Sequence, residues 1–236
     1  MIKDFLSSTS SLILGCFSVL AVLLFAGFSA AHAQTTPQFI PFWHAASFTP
    51  ADFAGKVFPT EKTVIDASFE LLRNGKFVDL SGKRVMWLVN GNELGEGTNK
   101  KSITFKNYGY GSSAINMDVR VFDFGGATLA YSFTIPATTP RLVIVSPYDK
   151  NNLTEKNLNV TALPYFWNIT SLNELVFSWS VNSVSPEGSV GTPDKLSVTI
   201  PGDTPAGTKI AVNVSAQNLS SSFEAASDEI IYTVAP

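Results

Sequence analysis

Two tryptophan-centred segments constrain the fold more than any other feature of the sequence. Residues 85–90 (VMWLVN) and 177–182 (FSWSVN) each place a tryptophan between apolar residues two positions away, and each ends on an asparagine. Alternate residues of a β-strand face the same side, so the indole and its apolar neighbours share a face. In the second segment the other face carries Ser178 and Ser180, as expected of a half-buried strand. An indole at mid-strand fills the gap of about 10 Å between two stacked sheets. The segments therefore predict two β-sandwiches.

Other segments alternate apolar and polar residues in the same way. The clearest of them span 64–72, 115–121, 129–135, 196–200 and 210–214. Turn signals such as Asn74-Gly75 and Asn90-Gly91 separate the strands. No stretch after residue 34 carries a sustained helical period. This pattern predicts an all-β chain of immunoglobulin-like sandwiches.

The two halves repeat the same plan. Thr154-Glu155-Lys156 follows Thr60-Glu61-Lys62 by 94 residues, and Trp179 follows Trp87 by 92. Two landmarks at nearly the same offset indicate an internal duplication.

The segment Pro136–Pro140 (PATTP) is expected to join the two copies. A proline at each end prevents a strand from continuing and favours extended backbone. We therefore expect the first sandwich over residues 34–139 and the second over residues 140–236.

The first 33 residues differ from the rest of the chain. Lys3 precedes an uncharged apolar run over residues 12–30, and Ala31-His32-Ala33 has small residues at both positions that a signal peptidase reads. This predicts a signal peptide, residues 1–33, and an exported, extracellular or cell-surface protein. The run is also long enough to remain as an uncleaved membrane anchor, which would be the chain's one contact with a membrane. The single cysteine, Cys16, lies in this segment, so the cleaved chain would fold without disulfides, as in a bacterial envelope.

Three parts of the sequence resemble bacterial immunoglobulin-like and PKD-like domains. They are the WLVNG strand at 87–91, the Ile/Met/Val alternation at 115–121 and the loop IPGDTPAGT at 200–208. The Gly-Asp-Gly turn of PKD domains is replaced by Asn90-Gly91-Asn92 in one half and by Asn182-Ser183-Val184 in the other. The resemblance covers both halves. It implies tandem β-sandwich domains of an exported cell-envelope protein, with a role in adhesion, spacing or assembly.

The composition argues against most catalytic chemistry. His44 is the one histidine after residue 33, and the sequence has no Gly-x-Ser-x-Gly nucleophile motif. One histidine without cysteine cannot supply the three or four ligands of a zinc site. The formal charge of −3 does not favour nucleic acid. We therefore predict no enzyme, no catalytic residue, no cofactor and no nucleic-acid partner.

A weak calcium candidate lies in the loop after the junction. Asp149, Asn151 and Glu155 offer oxygen ligands of the kind that Ca²⁺ takes. Lys150 stands among them and the loop has no calcium-binding consensus, so a solvated turn is the preferred interpretation.

Loop aromatics are the remaining candidate binding residues. Tyr108 and Tyr110 lie in a glycine-rich loop, and Trp167 follows a strand that ends near Pro164. Exposed rings of this kind stack on sugars or anchor a protein partner. The alternative for Trp167 is that it caps the core of the second sandwich.

The sequence therefore favours a non-enzymatic secreted or surface-anchored protein. Its two immunoglobulin-like domains would act as spacer, adhesion or assembly modules, with edge strands able to pair with a neighbour's sheet. The expected partner is an envelope or surface protein, or a cell-surface glycan. The alternative function is a carbohydrate-binding module that uses the loop aromatics.

Overall fold

A computed structural model describes residues 36–109, 113–186 and 192–236, and these residues are mostly β-strand. The described residues from Gln38 onward belong to one compact unit. The predicted signal peptide or anchor, residues 1–33, lies outside the described residues. Within the described ranges, no helix combines the length and hydrophobicity that a membrane crossing requires.

The described residues contain eight strands in the first half and six in the second. The first set is β1 (Gln38–Ala45), β2 (Val64–Arg73), β3 (Lys76–Phe77), β4 (Arg84–Val89), β5 (Asn92–Thr98), β6 (Ser102–Lys106), β7 (Ile115–Phe124) and β8 (Ala127–Ile135). The second set is β9 (Arg141–Val145), β10 (Asn157–Tyr165), β11 (Leu175–Val181), β12 (Lys195–Thr199), β13 (Lys209–Asn218) and β14 (Ser221–Thr233). A 3₁₀ turn at Leu172–Glu174 precedes β11.

The first sandwich packs two antiparallel sheets around Trp87. In one sheet β2 pairs with β1, β3 and β6; the other sheet has the order β5-β4-β7-β8. The Trp87 ring is fully buried, its centroid is 5.6 Å from that of Phe69, and its Nε1 donates to the Lys100 carbonyl at 2.8 Å. Val85 is buried with it, and Val89 packs on the same core, so the predicted shared face is confirmed.

The second sandwich has the same arrangement with fewer strands. One antiparallel sheet has the order β12-β10-β9 and the other has the order β11-β13-β14. The buried residues of both sheets form one hydrophobic core, separate from the core of the first sandwich. Its largest fully buried side chains are Trp167, Tyr232, Leu158 and Leu196. The predicted all-β fold of two tandem immunoglobulin-like sandwiches is confirmed. The domain limits at 139 and 140 stay a prediction.

Two matched contacts support the internal duplication at the level of single residues. Asn90 and Asn182 both adopt a φ of 49°, and each side-chain Oδ1 accepts from a backbone amide of the neighbouring strand, Asn116 at 3.0 Å and Ala211 at 2.9 Å. Each asparagine therefore ends its tryptophan strand and fastens that end to the next strand.

The tryptophan indoles provide the second matched contact. The Nε1 of Trp87 donates to Lys100 and that of Trp179 to Pro193 at 3.0 Å, and each acceptor lies two residues before the following strand, β6 or β12. The repeated segments thus occupy equivalent positions in the two sandwiches.

The expectation that Trp179 fills the centre of the second core is wrong. Trp179 is only half-buried and packs at the margin of that core, whereas Trp167 is fully buried. Trp167 is the second residue after β10, and its Nε1 donates to the Arg141 carbonyl at 2.9 Å. The second core therefore has a large indole at a position with no tryptophan counterpart in the first.

We expect this difference to appear in stability. Trp87→Ala should lower the free energy of unfolding by about 3–5 kcal/mol, since it leaves a cavity and an unpaired carbonyl in a closed core. Trp179→Ala should cost less, about 1–2 kcal/mol, because part of its ring already contacts water. Urea titrations of both variants measure the two values. Equal losses would contradict the assignment of Trp179 to the core margin.

Tyr232 provides a test that depends on pH. Its side chain is fully buried and, among the described residues, its hydroxyl has no hydrogen-bond partner of acceptable geometry. Burial raises the pKa of Tyr232 above its ordinary value of 10.0, and the Ser146 side chain opposes this by a smaller amount. The unfolded chain loses this proton near pH 10 while the folded chain keeps it, so stability falls as the pH rises above that value.

Tyr232→Phe removes both the unpaired hydroxyl and its titration. We expect its unfolding free energy at pH 7 to equal or exceed that of the parent by about 1 kcal/mol. Between pH 9 and 11 the advantage should widen, measured as the difference between paired denaturant titrations. A variant that is clearly less stable at pH 7 would show that the hydroxyl has a partner.

Candidate functional site at the joint between the sandwiches

A segment of the first half reaches the second sandwich. Residues 46–58 follow β1, and in this segment the Phe48 amide donates to the Trp167 carbonyl at 2.6 Å. The Phe166 amide donates in return to the Phe48 carbonyl at 2.8 Å. The Trp167 amide also donates to the Phe48 carbonyl, at 3.3 Å, and together with the first bond it forms an isolated antiparallel bridge between Phe48 and Trp167. One rung of β-structure thus connects the two sandwiches in addition to the covalent junction.

Aromatic rings surround this rung and form what we call the joint cluster: Trp43, Phe48, Phe53, Phe58, Tyr165 and Phe166. The Phe53 ring meets Tyr165 and Phe166 edge-on, with centroid distances of 5.6 Å in both cases. Phe58 meets Phe166 at 5.8 Å and Trp43 at 6.1 Å. Edge-to-face pairs of this kind contribute about 0.5–1.5 kcal/mol each beyond the area they bury.

Phe166 holds a strained backbone at the centre of the joint cluster. Its φ of 62° lies in the left-handed region, which costs a bulky residue about 1–3 kcal/mol. The strain is offset by its amide bond to Phe48 and by the rings that bury its side chain. Such a conformation persists only where the surroundings fix it, so the joint is a specific contact.

Lys56, near the end of the segment, contacts Trp43 on β1. Its Nζ lies 3.9 Å from the centroid of the Trp43 ring and donates to the Trp43 carbonyl at 2.7 Å. The cation–π contact and the hydrogen bond hold the end of the segment against β1.

A buried carboxylate forms a second connection. Glu224 on β14 is 7% exposed, and its two oxygens accept from the Asn168 amide at 2.6 Å and from the Asn218 Nδ2 at 2.5 Å. The hydroxyl of Thr60, in the first half, lies 3.5 Å from Glu224 Oε1. Thr60 is itself fixed, because its carbonyl accepts from Asn107 Nδ2 at 2.8 Å. The buried carboxylate of Glu224 is thus surrounded by three hydrogen-bond donors, as buried polar groups usually are.

A small cavity of about 80 Å³ lies beside Glu224. It is lined by Thr60, Glu61, Thr138, Thr139, Pro140, Ser221, Phe223 and Glu224. Phe223 is 85% exposed, and Leu219 at the tip of the same hairpin is also exposed. Sequence reasoning missed both residues, since a single phenylalanine in a serine-rich stretch gives no pattern that distinguishes exposure from burial.

Two of the three predicted binding residues lie in the described part of the chain. Tyr108 is 74% exposed, and the amide of the next residue, Gly109, donates to Asn107 Oδ1 at 3.0 Å. Tyr110 falls outside the described residues. Trp167 lies inside the second core, as in the alternative interpretation, so its ring is closed to a sugar or a protein partner.

The calcium candidates are occupied by local hydrogen bonds. Asp149 Oδ1 accepts from the Asn151 amide at 2.9 Å, and Glu155 Oε2 accepts from the Thr154 amide at 3.2 Å. Within residues 36–109, 113–186 and 192–236, no three acidic, histidine or cysteine side chains converge as metal ligands. The loop is therefore organised as a turn.

The two shifted carboxyl pKa values also have local causes. The Ser81 hydroxyl and amide lower the pKa of Asp79, and the Thr170 hydroxyl and amide, followed by the Ser171 amide, lower that of Glu174. Glu174 completes a capping box at the 3₁₀ turn before β11. Both carboxylates thus stabilise turns.

The fold and the joint define a tandem of two immunoglobulin-like β-sandwiches. No protein-family model and no curated protein matches the chain. Among solved structures it is similar to fibronectin(III)-like modules of Clostridium thermocellum CbhA, with 12% identity and a TM-score of 0.30, over 82% of this chain and 94% of that one.

Two further structures share the similarity. The three N-terminal domains of the highly immunogenic outer capsid protein of bacteriophage RB49 give 8% identity and a TM-score of 0.43, over 84% of this chain and 59% of that one. Bacteroides ovatus SGBP-B, solved in complex with a mixed-linkage heptasaccharide, gives 13% and 0.25, over 81% and 47%. This chain thus spans about half the length of these two.

The Glu224 contacts lead to a stability prediction. Glu224→Ala leaves the Asn168 amide and the Asn218 side chain without their acceptor, so it should lower the free energy of unfolding by about 1–3 kcal/mol. Glu229→Ala, an exposed site on the same strand, is the matched control and should change it by less than about 0.5 kcal/mol. Equal effects in thermal or urea unfolding would contradict a structural role for Glu224.

Proposed function

We propose that this chain is a non-enzymatic exported protein whose two sandwiches act as one rigid module for adhesion or assembly in the cell envelope. The observation that carries the proposal is the joint: a backbone rung at Phe48 and Trp167, the joint cluster, and the buried Glu224 contact with Thr60. Two domains joined by a short linker normally move relative to each other unless a specific interface holds them.

A fixed joint suits a module that presents a surface at a set distance and angle. The junction is also held, since the Thr138 amide donates to the Pro59 carbonyl at 3.0 Å. The contacts in the joint are backbone hydrogen bonds, pairs of partly buried rings and the buried Thr60–Glu224 contact, and hydrogen bonds and aromatic pairs are most effective where water is excluded. The position of one sandwich would then fix the position and orientation of the other.

Export is supported by the sequence of residues 1–33, with its apolar run and Ala31-His32-Ala33 site. The absence of any cysteine after Cys16 is compatible with folding outside the cell, because both cores are closed by large apolar side chains. The segment would be removed on export or would remain as the anchor.

The non-enzymatic role is supported by the surroundings of the titratable groups. His44 is exposed on β1 opposite Asp66, and that carboxylate accepts from the Thr104 hydroxyl. The carboxylates with shifted pKa values stabilise turns, and Glu224 is occupied by three donors. None of these groups faces a cleft of a size that suits a substrate.

Glycan binding is the second candidate, favoured by the exposed ring of Tyr108. A flat exposed ring on a held loop can stack on a sugar face. Polysaccharide binding that is lost in Tyr108→Ala and kept in Phe77→Ala, an equally exposed aromatic elsewhere, would favour this function.

The rigid module is tested by loosening the joint. Phe53→Ala removes two ring contacts with Tyr165 and Phe166 and lies outside both cores, so each sandwich should stay folded. We expect the radius of gyration in small-angle X-ray scattering to rise and the amide relaxation of the two sandwiches to become unequal. The change removes packing that restricts the domain angle.

Phe77→Ala serves as the control, because it removes a ring of the same size from an exposed position in the first sandwich. It should leave both measurements unchanged. A parent protein whose sandwiches already tumble independently would contradict the proposal, as would a Phe53→Ala variant that is as rigid as the parent.

A further inference from the structure

Strand β8 leaves one edge of its sheet open. The Asn90 amide donates to the Asn116 carbonyl. The backbone amides and carbonyls of Asn116 and of alternate residues along β7 therefore face β4. Those of Met117, Val119 and Val121 face β8. Their partners are Phe133, Tyr131 and Leu129. The amides and carbonyls of the intervening residues Ala130, Ser132 and Thr134 therefore point away from β7. In the described part of the chain these six groups have no backbone partner, since β8 pairs with β7 alone.

Most other edges carry a feature that opposes strand addition. Pro41 interrupts β1, Glu96 lies on β5, Lys195 lies on the short β12, and Glu229 lies on β14. The amide of Ile144 on β9 is occupied, because it donates to an Asp228 carboxylate oxygen at 2.7 Å. These edges are charged, interrupted or already bonded.

Strand β11 has no charge, but its ends are occupied. The Leu175 amide donates to the Leu172 carbonyl, and Val181 pairs with Val184. Strand β8 extends over Ala127–Ile135, likewise without a charge or a proline, and has 9 residues against the 7 of β11.

The side chains on the inner face of β8 are not fully buried. Leu129, Tyr131 and Phe133 point toward the core but remain half-exposed, unlike the fully buried Met117 and Val119 opposite them on β7. Tyr131 stacks on Phe39 at 5.1 Å and on Phe133 at 6.2 Å and is only partly buried. A strand added to this edge would cover these rings as well as the six backbone groups.

We propose that β8 is a homotypic interface, where a second copy of this chain adds its own β8 in antiparallel orientation. An antiparallel pair of identical strands is related by a two-fold axis, so each residue faces a residue of the same strand. With the axis at Tyr131, Ala130 faces Ser132 of the second copy, and no charge opposes a like charge. The same pairing at β5 or β14 would bring carboxylates together.

This arrangement extends the sheet β5-β4-β7-β8 across two copies as one eight-stranded sheet. It supplies the assembly step that the proposed function leaves open, yet it needs only the first sandwich and not a rigid joint. A failure of self-association therefore leaves the rigid module intact, and a flexible joint leaves the β8 interface intact.

The test is self-association of the full-length purified chain, with the same N-terminus in every variant. Sedimentation velocity over roughly 5–500 µM covers the range expected for a small interface. We expect a reversible monomer–dimer equilibrium. Amide hydrogen exchange at Ala130, Ser132 and Thr134 should slow as the protein concentration rises.

Ala130→Lys with Ser132→Lys places two cations of each copy opposite those of the other, and should weaken dimerisation by about tenfold or more. Both side chains are exposed on the parent, so the monomer should remain folded. The matched control is Ser215→Lys with Gln217→Lys, exposed residues at the same spacing on the central strand β13. It should dimerise like the parent.

Ser132→Pro is the second variant, since it removes an edge amide that bonds nothing in the monomer, and it should have the same effect as the lysine pair. A parent chain that stays monomeric throughout the range would overturn the proposal, whatever other protein it binds. A dimer that survives both edge variants would overturn it as well.

Discussion

In the proposed rigid module, the backbone rung between Phe48 and Trp167 is the contact that joins the two sandwiches. Each sandwich has its own core, and Phe48 from the first half also packs against the core of the second. The segment after β1 supplies the missing connection by adding a single bridge at the end of β10. The strained backbone of Phe166 and the rings around it follow from this bridge, because a residue in a left-handed conformation turns the chain back into position for the second hydrogen bond.

The two copies show how a duplicated sequence can diverge while its geometry is preserved. The asparagine that ends each tryptophan strand and the carbonyl that receives each indole N–H have kept their positions. The largest buried side chain has moved, from the tryptophan strand in the first sandwich to the second residue after β10, Trp167, in the second. The first copy also has two added strands, β3 and β5, so its sheets cover Trp87 more fully than the second covers Trp179.

Alternation along the chain was sufficient to predict the strands around Val64, Ile115, Leu129 and Ile210, because one buried face imposes a period of two. It was not sufficient to predict β5, whose sequence NELGEGT has no apolar face. Nor does periodicity report how deeply a face is covered, since that depends on strands far away in sequence. Trp179 was therefore expected in the core and Trp167 was a candidate exposed ring, whereas Trp167 is fully buried and Trp179 only partly.

The candidate site was harder to predict for the same reason. The exposed ring of Tyr108 followed from its loop, which is a local property. Glu224 and Thr60 are 164 positions apart, and their contact appears only after both sandwiches are placed. The open edge of β8 is likewise a property of the sheet order, although the absence of charge from that strand is visible in the sequence.

The most direct test of the rigid joint is a comparison of residual dipolar couplings from the two sandwiches of the unmodified protein. If the joint holds, the couplings of residues in β1–β8 and in β9–β14 will fit a single alignment tensor with the domain angle of this structure. Two tensors of different magnitude would mean that the sandwiches move independently, and would contradict the account.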